Sequence, residues 1–179
     1  MSTGSHDGPM PVAFIDIEAS GLDPNSWPVE VGWVFNRSGD GDQDNNSDGA
    51  AYLVAPADEW PMSAWSDVAE GLHGLDIETL RSKGRSVRAV CDAIEDALCG
   101  MTVYSDAPDW DGFWLMRLFS AAGRKVPFSL ADFNQAIREP LLLNPGLIET
   151  AERIAPRNHR AADDARHLAA LFRLATNAV

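Results

Sequence analysis

The sequence predicts an α/β fold, a mixed sheet with an antiparallel meander and parallel strands flanked by helices. Three features of the 179 residues point there. Short runs of β-forming residues joined by turn residues fill the first third. Stretches with apolar residues every three or four positions fill most of the remainder. One more β-rich run interrupts those stretches, and strands followed by helices alternating with further strand build a layered sheet.

Residues 1–10 are Gly, Ser, Asp and Pro in character without periodicity, and are expected to form a flexible tail ahead of a single domain over 11–179. Residues 12–17, 29–35 and 51–54 are rich in Val, Ile and aromatics, and each reads as a strand. Helical spacing follows over 77–83 and 87–98, with Gly84 between them and Gly100 as a stop signal. Residues 101–104 return to strand. Pro108 suits the first position of a helix, which Trp110, Trp114, Leu115, Leu118 and Phe119 continue. Two further helices are expected over 148–154 and 161–175.

With 14 Lys and Arg against 27 Asp and Glu, the net charge is -13, which argues against broad adhesion to nucleic acid or to an anionic membrane. A polyanion would have to be handled locally, through metal ions. Cys91 and Cys99 have no Cys or His partners at zinc spacing and lie too far apart along one helix for a disulfide, so both read as free thiols of a cytoplasmic protein. No apolar run approaches the roughly 18 residues of a membrane span. The stretch GDGDQDNNSDG over 39–49 alternates Asp as a calcium loop does, but Asn45 stands where the turn wants Gly and Ala51 where a bidentate Glu is needed, so a solvated hairpin loop is expected. Trp27, Trp60 and Trp65 are expected to pack within the fold rather than stack on bases.

Chemistry gathers in three places. In FIDIEASGL, Asp16 and Glu18 interrupt an apolar strand, and residues two apart share a strand face, so both carboxylates follow Phe14 on one side of the sheet. Like charges so placed call for a cation, although acids at a strand end facing water would also explain them. In YSDAPDWDGFWL, Asp106, Asp109 and Asp111 surround a strand-to-helix transition. Asp109 has an ordinary place at the second helical position, near exposed backbone N–H groups. Asp111 lies four residues before Leu115 and seven before Leu118, hence on their sheet-facing side, where an acid needs a cation. Asp106 precedes the helix, where it can cap or reach the site edge. In HRAADDARHLA, His159 precedes a helix whose first turn holds Asp164.

Together these pieces resemble the DEDD superfamily of 3′-to-5′ exonucleases in its His-containing (DEDDh) branch, the group of ribonuclease T, oligoribonuclease and bacterial proofreading subunits. Asp16, Glu18, Ser20, Gly21 and Leu22 match its first motif, Trp110, Asp111, Trp114 and Leu115 its second, and His159, Asp164 and Ala165 its third. PVEVGWVF looks like its second strand. Where the second motif often has His-Asn or Gly-Asn, this chain has Asp106 and Ala107.

The resemblance implies a ribonuclease H-like fold and hydrolysis of single-stranded DNA or RNA from 3′ ends, releasing nucleoside 5′-monophosphates. It implies two Mg²⁺ or Mn²⁺ ions held by Asp16, Glu18, Asp111 and Asp164, with Asp16 touching both and His159 the general base. Ser20, Gly21 and Leu22 are then expected to hold the terminal nucleotide. A polymerase-bound proofreading subunit or an idle binding module are the alternatives. The short segment after the last helix and the presence of all five catalytic residues favour a free-standing enzyme, with a homodimer left open.

Overall fold

The computed structural model describes residues 10–36 and 49–177. The expected tail, apart from Met10, and the Asp-rich stretch 39–49, apart from Gly49, lie outside the described residues. Strands β1 (Val12–Ala19), β2 (Pro28–Phe35), β3 (Gly49–Leu53), β4 (Thr102–Ser105) and β5 (Leu130–Asp132) form one sheet in the order β3-β2-β1-β4-β5. The meander β1, β2 and β3 is antiparallel, while β4 and β5 run parallel to β1. The helices are α1 (Asp67–His73), α2 (Ile77–Lys83), α3 (Val87–Leu98), α4 (Pro108–Ala121), α5 (Phe133–Ala136), α6 (Arg138–Leu143), α7 (Gly146–Ile154) and α8 (Ala161–Asn177). The mixed sheet flanked by helices is the architecture expected. β5, α1, α5 and α6 are additions that sequence periodicity did not show, β5 and α5 being too short to carry a period of their own.

The alternation of β1 splits the core in two. Ala13, Ile15 and Ile17 face α3 and α4, meeting Val90, Ile94, Leu115, Leu118 and Phe119. Phe14 faces the other way, onto Leu168 and Ala169 of α8 and Phe133 of α5. Trp27 stacks on Trp60 and tilts against Trp65 inside the first cluster, so these rings are packed as expected.

The approach of α8 to β2 is set by Gly32. A Cβ there would come within 2.4 Å of the Ala162 nitrogen and 2.5 Å of the Ala161 carbonyl carbon. Gly32→Ala is therefore expected to lower the unfolding free energy by about 2 kcal/mol, as overpacking does. Gly112→Ala, in a helix interior with open space around it, should raise stability by roughly 0.5–1 kcal/mol. Urea midpoints of the two variants check the contrast, and equal midpoints would show that α8 does not rest on a bare backbone.

Candidate active site

Side chains from both faces of the sheet meet beside β1. Asp16 and Glu18 follow Phe14 on the α8 side, paired across the ladder with Gly32 and Glu30. Asp164 comes from the first turn of α8, buried, with its Oδ1 accepting the Asn158 N–H at 3.0 Å. Asp111 arrives from the opposite layer. Its helix packs through Leu115 and Leu118 on the side of the sheet away from Asp16, but β4 ends at Ser105, one residue beyond the Phe14–Tyr104 pair. The first turn of α4 therefore reaches round the end of β4. Asp111 is only 2% exposed there, with the Ser105 hydroxyl donating to its Oδ2, while Asp109 is exposed.

The result is two adjoining groups of potential ligands. One oxygen each from Asp16, Asp106 and Asp111 lie within 4.8 Å of one another, and so do one atom each from Glu18, His159 and Asp164. Asp106, left between capping and site edge by the sequence, thus stands with Asp16 and Asp111. Its charge is met by Arg157 at 2.7 Å, a residue no motif singled out.

Burial raises the Asp16 carboxyl well above its usual range, and the charges of Asp111, Glu18, Asp164 and Asp106 push it further. Burial lifts Glu18 to about 7, with Asp164 and Glu30 adding and Arg160 opposing. Asp111 also stands at about 7, through burial and despite the Ser105 hydrogen bond. Crowded carboxylates that resist ionisation in a poorly solvated place fit hard divalent cations, which prefer oxygen ligands and would discharge the repulsion.

The sign of the resulting pH dependence follows. A carboxyl whose folded pKa is raised binds its proton more tightly in the fold than in the unfolded chain, so its contribution is present at low pH and lost as pH rises through the folded value. Metal-free protein should show a Tm that falls between roughly pH 4 and 7, and saturating Mn²⁺ should reverse that slope because ions bind the deprotonated groups. A Tm in EDTA that is flat or rising over that interval would show that these carboxyls do not repel one another.

His159 adopts a left-handed backbone, φ 52°, a conformation that costs a non-glycine residue about 1 kcal/mol. Both neighbours are anchored. Asn158 is tied to Asp164, and Arg160 grips the buried Glu30 through Nε at 3.0 Å and a terminal nitrogen at 2.7 Å. Glu30 also accepts the Ala161 N–H at 3.0 Å, capping α8. An acid inside the apolar run PVEVGWVF was the available signal for this clamp, since a buried charge must be paired.

Gly21 and the exposed Leu22 line a cavity next to Glu18. Ser20 is buried, and its hydroxyl donates to the Ala64 carbonyl and accepts the Trp27 N–H, each at 3.1 Å, so its side chain holds the Gly21–Leu22 turn in place.

No protein-family model matches the chain, and no curated protein matches its sequence. Solved structures do. A structure of exonuclease I aligns with a TM-score of 0.72 at 16% identity, over 94% of this chain and 41% of that one. The zinc-bound complex of E. coli exonuclease I with single-stranded DNA gives 0.70 at 18%, covering 94% and 40%. Exonuclease I from Methylocaldum szegediense gives 0.68 at 17%, covering 94% and 40%. The chain thus spans about two fifths of the length of the structures it matches, and shares a fold with that part of them.

Proposed function

We propose that this chain is a divalent-metal-dependent 3′-to-5′ exonuclease of the DEDDh kind, acting on single-stranded nucleic acid and releasing nucleoside 5′-monophosphates in a reducing cytoplasm. The observation that carries the reading is the pair of adjoining ligand groups, Asp16 with Asp106 and Asp111, and Glu18 with His159 and Asp164. The shared fold with exonuclease I, seen bound to single-stranded DNA, supports it.

Asp16 stands between the groups and would ligate both of two Mg²⁺ or Mn²⁺ ions, Glu18 and Asp164 one, and Asp111 the other. Such ions, when bound, lower the pKa of the attacking water and stabilise charge on the leaving 3′ oxygen. His159, beside Glu18 and Asp164, would accept the proton of that water at an imidazole nitrogen. Ser105 would hold Asp111 in its ligating orientation. Arg157 would keep Asp106 from adding net negative charge where the phosphate enters. Leu22, exposed beside Glu18, would wedge against the terminal bases.

The test is a 5′-labelled single strand with Mg²⁺ or Mn²⁺. Shortening from the 3′ end with release of 5′-monophosphates is expected, with no cleavage in EDTA and protection by a 3′-terminal phosphate. Cleavage of a circular single strand at a comparable rate would make the protein an endonuclease and contradict the reading.

A further inference from the structure

Arg157 brings a guanidinium to the carboxylates of the site and spends little of it there. It lies two residues before His159, in the loop between α7 and α8, and one terminal nitrogen donates to Asp106 Oδ2 at 2.7 Å. A guanidinium offers five N–H donors in a planar fork, and this is the one hydrogen bond Arg157 makes among the described residues. Its side chain is 38% exposed, so the remaining donors are open to a ligand. Arg160, by contrast, is tied to Glu30 through two nitrogens.

The guanidinium stands beside both ligand groups. Burial works against its charge, yet Asp106, Asp164 and Asp16 together hold its pKa above the usual arginine value, and Asp16 and Asp164 belong to different groups. Both partners of the ion pair are fixed from behind. The Asp106 carbonyl accepts the Asn134 side-chain amide at 2.8 Å, the Ala107 N–H donates to Ser105 Oγ at 3.0 Å, and the Asn158 N–H beside Arg157 is held by Asp164. A donor already in place costs no reorganisation when charge develops in front of it.

Charge balance says what the open donors serve. Asp16, Glu18, Asp106, Asp111 and Asp164 surround a site proposed for two divalent ions, so one negative charge is left over before a phosphodiester brings its own. A guanidinium fork can hold a carboxylate and a phosphate oxygen at once through separate N–H groups.

We infer that Arg157 is a catalytic residue, held by Asp106 through one nitrogen and donating from another to a nonbridging oxygen of the scissile phosphate. The inference rests on the exonuclease reading for the identity of the substrate, and goes beyond offsetting the charge of Asp106. In hydrolysis the water oxygen bonds to phosphorus, its proton passes to His159, the bond to the 3′ oxygen breaks, and that oxygen takes a proton from solvent. Arg157 neither gives nor takes a proton, and stabilises the charge that grows on the phosphoryl oxygens.

Arg157→Gln and Asp106→Asn, singly and together, test this. With a 5′-labelled single strand at saturating Mn²⁺, Arg157→Gln should lower the single-turnover rate roughly 10²- to 10³-fold, the usual loss for one preorganised donor. In the Asp106→Asn background the same substitution should still cost at least about tenfold, because the phosphate remains when the carboxylate charge is gone. Calorimetry gives a readout free of turnover. Thymidine 5′-monophosphate at saturating Mn²⁺ should bind Arg157→Gln roughly tenfold to a hundredfold more weakly than the native protein, while Mn²⁺ itself binds no more weakly. If Arg157→Gln costs nothing in the Asp106→Asn background, Arg157 is only the counter-charge of Asp106 and the inference is overturned. A native rate or native monophosphate affinity in Arg157→Gln, or weakened Mn²⁺ binding, overturns it too. When the native protein cleaves 3′ ends, any of these results removes the role of Arg157 alone; when it neither cleaves nor binds the monophosphate, the exonuclease reading falls as well.

Discussion

Asp16→Ala is expected to abolish turnover in Mg²⁺ or Mn²⁺ while leaving a folded protein. Asp111, Glu18, Asp164 and Asp106 all act on the Asp16 carboxyl, two from its own group of potential ligands and two from the other, so as the proposed ligand of both ions it would have no substitute. Its removal costs the fold little. The carboxyl resists ionisation because burial and four surrounding charges oppose it, and taking it away relieves that repulsion. In EDTA near neutral pH the variant should melt at or above the native temperature, and the Tm gain on adding Mn²⁺ should shrink, since ligation of the native state stabilises by mass action. Calorimetric Mn²⁺ titration together with single-turnover hydrolysis checks both parts. Undiminished turnover by Asp16→Ala in excess Mn²⁺ would sink the two-ion assignment.

Replacing His159 should lower single-turnover rates by roughly 10² to 10⁴, the usual contribution of a general base, with Mn²⁺ affinity little changed. Asn is the better substitute, because the left-handed φ of 52° at this position is tolerated by Asn and strained for Ala. With His159→Asn the loop between Asn158 and Arg160 keeps its anchors, so loss of rate reports chemistry. The native rate should rise with pH through the neutral range, as the carboxyls of Glu18 and Asp111, each near 7, lose protons there. Saturating Mn²⁺ should flatten the carboxyl rise, because the ions bind the deprotonated groups. Full activity in the variant would return His159 to being a loop residue.

What could be read from the residues alone was what repeats or recurs at fixed spacing. The alternation of β1 placed Asp16 and Glu18 on one face, and Pro108 with the Leu115–Leu118 spacing set the phase of α4, hence a buried Asp111 and an exposed Asp109. The same spacing said only that this face meets the sheet. That α4 covers the side opposite Asp16, and that Asp111 gets across because β4 stops at Ser105, depends on strand order, which no local pattern encodes. Motif matching did not show where the Ser20 hydroxyl goes, which is to Trp27 and to Ala64, the latter distant in sequence. Arg157 on Asp106 and Arg160 on Glu30 were hidden for the same reason, being long-range ion pairs.

The Glu30 clamp has a further consequence for how faithfully the chain must assemble. Strand pairing is periodic by two, so a slip of one residue between β1 and β2 would set Val29 or Val31 across from Glu18 and turn Glu30 toward the α3–α4 layer. Arg160 and the Ala161 N–H would then lose their acceptor, and α8, which carries Asp164, would lose its seat over Gly32. Asp164 would be carried away from Asp16 and Glu18, so the clamp makes the gathering of the acidic residues conditional on a correctly aligned hairpin.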